Sequence, residues 1–277
     1  MLITSTQNPK IKQLLELQQK SSERRHTGLF VVEGQRELEH CLAAGHELVS
    51  VFVSEELGLM IDECIVDNSN SDNPLLSAIK NCQPSIYVVS PNVYERIAYR
   101  GSTEGVVAIA RMRHMDLNDL KLPENPLLIV LESVEKPGNL GAVLRSADAA
   151  AATAVIVCDP LTDLYNPNLI RASIGAVFYV PTISCSSDEC IAFLKAKGVR
   201  ILTAQLQDSE PYYQTDMTGP TAIVMGTESP GLTEQWRQAA DAHIRIPMLG
   251  RLDSLNVSVS AAILLFEAVM QRMGKDD

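Results

Sequence analysis

Three Gly-bearing polar loops, each running into a helix, hold the side chains of this chain best suited to chemistry. One spans Ile246 to Arg272, IPMLGRLDSLNVSVSAAILLFEAVMQR, and joins a short apolar strand to a long amphipathic helix with Asp253, Ser254 and Asn256 at the junction. A helix start offers unpaired backbone N–H groups and a positive dipole end, so such side chains cap the helix or reach past it to a ligand. A second loop, KPGNLGAVLR, sets Asn139 at a helix start and Arg145 six residues on, where a guanidinium can clamp a phosphate with its bidentate fork. The last, MGTESPGL, has Gly226 for close backbone approach, Glu228 as a charge at a strand end, and Pro230-Gly231 as a tight turn.

The elements that must carry these loops follow from periodicity. Residues 127–132 (LLIVLE) form a buried strand, the Ala-rich stretch after KPGN a helix, and AVIVC at 154–158 the next strand. A helix near Asn168 to Ile174, another around Asp188 to Lys197, and strands at FYVP, VRILTA and TAIVMG continue the alternation. Strand alternating with helix predicts a mostly parallel sheet covered on both faces, with ligands at the carboxyl ends of its strands. The βαβ start, with Asp159 closing its second strand, invites a dinucleotide-fold reading and an oxidoreductase, but the GxGxxG fingerprint is missing. On the last helix the stripe Val257, Ala261, Leu264 and Leu265 suits either a partner helix or the core.

Upstream, a helix over Pro9 to Gln19 with Ile11, Leu14, Leu15 and Leu17, strands at 28–34, 48–54, 86–89 and 106–110, and a helix over Gln35 to Ala44 make a small α/β domain. The predicted organisation is a domain over residues 1–113, a Pro-bracketed polar linker over 114–126 and a second domain over 127–277.

With 46% hydrophobic and 21% charged residues in 277, the composition is that of a soluble globular chain long enough for two domains. No apolar run spans a bilayer and the amino terminus lacks a signal-peptide core, so a cytoplasmic protein without membrane contact is expected. The cysteines, 41, 64, 82, 158, 185 and 190, and the histidines, 26, 40, 46, 114 and 243, show no CxxC or HExxH spacing, and no metal is expected. A net charge of −11 argues against coating nucleic acid by bulk electrostatics. Residues 1–25 nevertheless carry Lys10, Lys12, Lys20, Arg24 and Arg25 against Glu16 and Glu23, a local excess able to touch phosphates or simply a solvated helix face.

Taken in chain order, the three loops resemble the motifs of the SpoU/TrmH family of RNA ribose methyltransferases, within the SPOUT superfamily. Asn139, Gly141 and Arg145 carry the first motif; Gly226, Glu228, Gly231 and Leu232 the second; Ile246, Pro247, Gly250, Ser254, Leu255 and Asn256 the third. The second motif of the family reads more like GNEGxGL, and Thr227 and Ser229 replace its Asn and second Gly. TSTQNPKIKQLLEL followed by FVVEGQRELEHCL is similar to the substrate-recognition domain of such enzymes, a module resembling ribosomal RNA-binding proteins.

The resemblance implies a deep trefoil knot, a homodimer formed through the carboxyl-terminal domain, and S-adenosylmethionine held by backbone groups at Thr203, Ala204, Met225, Gly226, Ile246, Met248 and Leu255. It implies methyl transfer to a ribose 2′-hydroxyl of structured RNA, ribosomal RNA before transfer RNA; a non-catalytic RNA-binding module would be expected to have lost some of Asn139, Arg145, Ser254 and Asn256. Arg145 would sit at the 2′-hydroxyl and adjacent phosphate. Since an arginine pKa is above about 12, clamping and oxyanion stabilisation suit it better than the base role the family suggests. Ser254 and Asn256 would orient Arg145 or the ribose while Asp253 starts the helix, Asn139 would hold its loop, and Glu228 would fix the knot or a partner residue. Lys10, Lys12, Arg24 and Arg25 join Arg145 as expected RNA contacts.

Overall fold

The computed structural model describes residues 2–66, 75, 79, 82–98, 104–227 and 231–274; Glu228 of the second motif lies outside them. Two compact units emerge, one of Met1–Arg113 with Leu164–Phe178, the other of His114–Asp163 with Tyr179–Asp277.

The first unit begins with β1 (Leu2–Ile3), α1 (Pro9–Gln19), α2 (Ser21–Thr27), β2 (Leu29–Glu33) and α3 (Gln35–Ala43). It continues with β3 (Leu48–Ser54), α4 (Glu55–Val66), β4 (Ser85–Val89), α5 (Pro91–Ile97) and β5 (Val106–Arg111). Asn8 starts α1 by accepting a hydrogen bond from the Lys10 N–H, Pro9 fits the first turn, and Ile11, Leu14 and Leu17 are buried. The sheet runs β1-β4-β3-β5-β2, with β4 parallel to β1 and β3, and β5 antiparallel to β2 and β3. Alternation along β3 sends Val51 and Val53 into one core and Phe52 into the other, so both faces are covered.

The second unit opens with a polar stretch that packs: a 3₁₀ turn at Leu117–Asp119 brings Leu117, Leu120 and Leu122 onto its core, so residues 114–126 are not a free linker. Then come β6 (Leu127–Glu132), α6 (Pro137–Ala149) and β7 (Ala154–Cys158). The chain next contributes α7 (Pro167–Ser173) and a 3₁₀ turn, Ala176–Phe178, to the first unit. There Tyr165 lies against Phe30 with ring centroids 4.5 Å apart, and Ile170 joins the core. The turn also explains why FYVP is not a strand: Phe178 packs on that aromatic cluster, and β8 starts only at Thr182 (Thr182–Cys185).

Beyond it lie α8 (Ser187–Ala196), β9 (Arg200–Ala204), β10 (Glu210–Pro211), β11 (Thr221–Met225), α9 (Glu234–Ala239), β12 (Ala242–Arg245) and α10 (Val257–Met273). The sheet order is β10-β12-β9-β11-β6-β7-β8 with every pairing parallel. Central strands β6, β7 and β11 are buried along their whole length, which is why they read as continuous apolar runs. β12 ends at Arg245, before the expected apolar strand at Ile246, because Pro247 has no N–H to give a ladder.

α10 lies along α6 and over β6 and β11. Ala261, Leu264, Leu265 and Ala268 face the core, whereas Val259, Phe266, Met270 and Met273 are exposed. The Arg272 guanidinium anchors its last turn, donating to the carbonyls of Asn125, Pro126, Met217 and Gly219 at 2.8–3.1 Å. Among the described residues no helix is long and apolar enough to cross a membrane.

Candidate active site

The carboxyl ends of β9, β11 and β12 and the loops that follow them enclose a cleft of about 380 Å³. Of the residues expected to hold a cofactor, Ala204, Met225, Gly226, Ile246, Met248 and Leu255 line it. Thr203 does not: it is fully buried and its Oγ1 lies 2.6 Å from His243 Nδ1, tying β9 to β12. Gly226 is required sterically, since a Cβ there would stand 2.4–2.6 Å from backbone atoms of Gly231 and Leu232. The two chain segments touch main chain to main chain, which only a residue without a side chain permits.

Three buried polar atoms in the cleft wall have no hydrogen-bond partner among the described residues: Gln205 Oε1, Thr227 Oγ1 and Arg237 Nε. Buried polar groups are nearly always satisfied, so an acceptor, a hydroxyl and a guanidinium N–H left open in one cleft point to a ligand offering both donors and acceptors. Sequence reading missed this set. Thr227 stood out only as a departure from the motif, Gln205 could have been suspected from its place after the β9 terminus, and nothing marked Arg237.

A second cavity of about 220 Å³ adjoins the cleft, sharing Gly226, Thr227 and Val257 with it and adding Glu132, Glu135, Lys136 and Asn139. Here the first and third motifs meet: Asn256 Nδ2 donates to Asn139 Oδ1 at 3.1 Å. Asn256 is also the cap of α10, its Oδ1 accepting from the Ser258 N–H at 3.0 Å and hydroxyl at 2.7 Å. The helix therefore starts at Asn256 and not at Asp253, which instead accepts a 3.3 Å bond from Ser254 Oγ; Ser254 and Asp253 line the cleft. The buried Glu132 carboxylate is satisfied by the Thr233 N–H at 2.8 Å and hydroxyl at 2.6 Å, which fixes the chain at the start of α9.

Arg145 stands apart from this cluster. It is exposed, lines neither cavity, and forms no hydrogen bond or ion pair with a described residue. On α6 it lies six residues beyond Asn139, about 9 Å along the axis at ~1.5 Å per residue and about a third of a turn around it. Its guanidinium is available to a phosphate from outside.

In the first unit Lys10, Lys12 and Arg25 are exposed, and Lys10 Nζ sits 4.8 Å above the Tyr87 ring, drawing that phenol below its ordinary pKa chiefly by hydrogen bonding. Arg24 corrects the expectation: at 2% exposure it is buried, its Nη1 donating to the carbonyls of Leu17 and Gln18 at the end of α1. A helix end needs its open carbonyls satisfied, and Arg24 is used for that.

A cofactor-sized cleft at the carboxyl ends of parallel strands, walled by the second and third motif loops and adjoined by a polar cavity that the first motif loop lines, defines a cofactor-binding catalytic domain in a chain that also carries a smaller α/β unit. Residues 126–266 match the SpoU rRNA Methylase family, and residues 8–108 match the MRM3-like substrate binding domain. The chain belongs to the SpoU rRNA methylase family.

It is 33% identical to the 23S rRNA (guanosine-2′-O-)-methyltransferase RlmB of Vibrio parahaemolyticus over 83% of this chain and 96% of the relative. To the 23S rRNA (guanosine(2553)-2′-O)-methyltransferase RlmP of Bacillus subtilis it is 29% identical over 95% and 97%. Among solved structures, an RNA 2′-O ribose methyltransferase superposes with a TM-score of 0.82 at 38% identity, covering 99% of this chain and 100% of that one. An AdoMet-bound rRNA methyltransferase from Sinorhizobium meliloti superposes with a TM-score of 0.85 at 28% identity, covering 97% of each.

Proposed function

We propose that this chain transfers a methyl group from S-adenosylmethionine to a ribose 2′-hydroxyl of 23S ribosomal RNA, at a guanosine as in the names of its curated relatives. The observation that carries this reading is the Asn139–Asn256 contact, which joins the first and third motif loops at the second cavity, next to the cofactor-sized cleft. The apolar walls from Met225, Ile246, Met248 and Leu255 and the open atoms of Gln205, Thr227 and Arg237 suit a ligand with an apolar body and polar ends.

S-adenosylmethionine supplies a methyl group already activated as a sulfonium substituent. What remains for the protein is to align the acceptor hydroxyl and manage its proton. Arg145, exposed and without a hydrogen-bond or ion-pair partner among the described residues, clamps the phosphate beside the target ribose and stabilises charge growing on its oxygen. Ser254 and Asn256 orient the ribose from the third loop, and Asn139 locks the first loop to Asn256. For Glu228 the family motif implies a role in fixing the knot or a partner residue.

Residues 1–113 serve as the RNA-recognition domain, with Lys10, Lys12 and Arg25 contacting phosphates; residues 127–277 serve as the methyltransferase domain. The chain works as a homodimer in the cytoplasm, where the outward row Val259, Phe266, Met270 and Met273 of α10 packs against its copy. A trefoil knot in this domain is the fold that the family resemblance implies.

Arg145→Ala tests the reading. Methyl transfer from S-adenosylmethionine to rRNA should fall by about 10²–10³-fold, the usual cost of losing one transition-state donor, while calorimetric cofactor affinity is unchanged. Near-normal turnover would overturn the placement of the catalytic centre. Mapping 2′-O-methyl sites in cellular RNA with and without the protein identifies the nucleotide, and tight NAD binding in place of S-adenosylmethionine would sink the whole reading.

A further inference from the structure

Cysteines that are scattered in sequence converge in the second unit. Cys158 ends β7, Cys185 ends β8, and Cys190 lies in the second turn of α8. The three Sγ atoms all lie within 4.8 Å of one another. Their convergence has a plain structural origin. Cys158 and Cys185 are register partners on neighbouring parallel strands, so their side chains share a face. Ser186 caps α8 with a reciprocal Glu189 bond, which makes Cys185 the residue before the cap and Cys190 the fourth helical residue, a pair that packs at helix entries.

We propose that Cys158, Cys185 and Cys190 form a binding site for a divalent thiophilic cation of the zinc class. Thiolate ligands select such ions, and metal–sulfur bonds of about 2.3 Å in tetrahedral geometry set sulfurs roughly 3.8 Å apart. The cluster reaches that spacing with sulfur movements of an ångström or less per pair. Cys158 and Cys190 are fully buried while Cys185 is partly exposed, so the ion has a way in from one side and its remaining coordination position faces solvent. The Asp159 and Glu189 carboxylates flank Cys185 electrostatically and favour cation entry.

Binding exchanges thiol protons for metal–sulfur bonds and releases up to three protons to solvent, with no electron transfer. Three thiolates leave a net charge of −1 with a divalent ion and −2 with monovalent copper, and a site with two buried sulfurs favours the smaller residual charge. The ion would pin the edge strand β8 and the start of α8 to β7, on the opposite side of β6 from the cofactor cleft.

The test uses the full chain, reduced and stripped with a chelator, titrated with Cd²⁺ as spectroscopic probe and with excess Zn²⁺ in competition. One equivalent of Cd²⁺ should produce a thiolate-to-metal charge-transfer band and raise the melting temperature, and excess Zn²⁺ should bleach the band by displacing Cd²⁺. Cys185→Ser, at the partly exposed position, should weaken binding at least about 100-fold, because even losing a group that only supports a ligand costs roughly 10–100-fold. Cys190→Ala gives an independent second variant, and exposed Cys82→Ser should leave the band intact. No band, a band that survives both Cys185→Ser and Cys190→Ala, or a band that excess Zn²⁺ leaves untouched overturns the proposal.

Discussion

Gly226→Ala concentrates the argument for the cleft into one methyl group. The added Cβ would lie 2.4 Å from Gly231 C, 2.5 Å from Leu232 N and 2.6 Å from Gly231 O, about 1 Å inside ordinary van der Waals contact. All three neighbours are main chain, so no side chain can swing aside and the loop beginning at Gly231 must move. Overpacking of this kind costs about 1–3 kcal/mol, which in a chain of this size lowers the melting temperature by roughly 2–12 °C.

The functional cost should be larger, because Gly226, Gly231 and Leu232 all line the cleft. A 1 Å misplacement is worth about 10²-fold, so S-adenosylmethionine affinity or turnover should drop by about that factor. Calorimetry with the cofactor, a thermal melt and a methyl-transfer assay on rRNA separate these effects. Gly138→Ala is the control, since a Cβ there meets nothing within 4 Å and should be silent in all three. If Gly226→Ala matched Gly138→Ala in cofactor affinity and turnover, the inference that this main-chain contact shapes the site would be refuted.

Three further outcomes are expected. Arg272→Ala strips donors from four carbonyls and should destabilise the second unit by about 2–4 kcal/mol in a chemical denaturation series; Arg272→Lys should recover little, because an ammonium cannot reproduce the fork. His46 is held below its ordinary pKa of 6.5, chiefly by burial among Phe30, Tyr165 and Phe178, with the Arg113 charge adding to this against a hydrogen bond to the Arg111 carbonyl. Its folded pKa being depressed, its contribution is fully present above 6.5 and lost as pH falls through the folded value; melting temperatures between about pH 7.5 and 5.5 should fall less steeply in His46→Gln. Phe266→Glu on the exposed row of α10 should shift the sedimentation behaviour from dimer to monomer while the melt stays cooperative.

The regular elements were legible because their burial is periodic: Ile11, Leu14 and Leu17 mark α1, and the unbroken apolar runs of β6, β7 and β11 mark strands buried on both faces. Failures occurred where contacts outside the local periodic pattern decide. FYVP has strand composition, but Phe178 is drawn to an aromatic cluster more than a hundred residues upstream. Arg24 looks like a surface cation until the Leu17 and Gln18 carbonyls appear beside it. At the site, Ala204, Met225, Gly226, Ile246, Met248 and Leu255, named through the family resemblance, line one cleft, whereas Thr203, one residue earlier on β9, points elsewhere by the alternation of the strand. The choice of Asn256 over Asp253 as cap depends on loop geometry, and although the Ser186–Glu189 capping box is a local pattern, the approach of Cys158 to Cys185 depends on a strand register that no local pattern encodes.

The excursion of residues 164–178 bears on how the molecule is made. Phe30 and His46 emerge early from the ribosome, but the Tyr165 and Phe178 rings that cover them follow more than a hundred residues later. The amino-terminal unit cannot finish its core during its own synthesis and must wait, with an aromatic face uncovered, while the first strands of the second sheet are translated. A fragment ending at Arg113 would keep that face permanently bare, so self-association of such a piece would reflect the missing segment and not the behaviour of the unit in the whole chain.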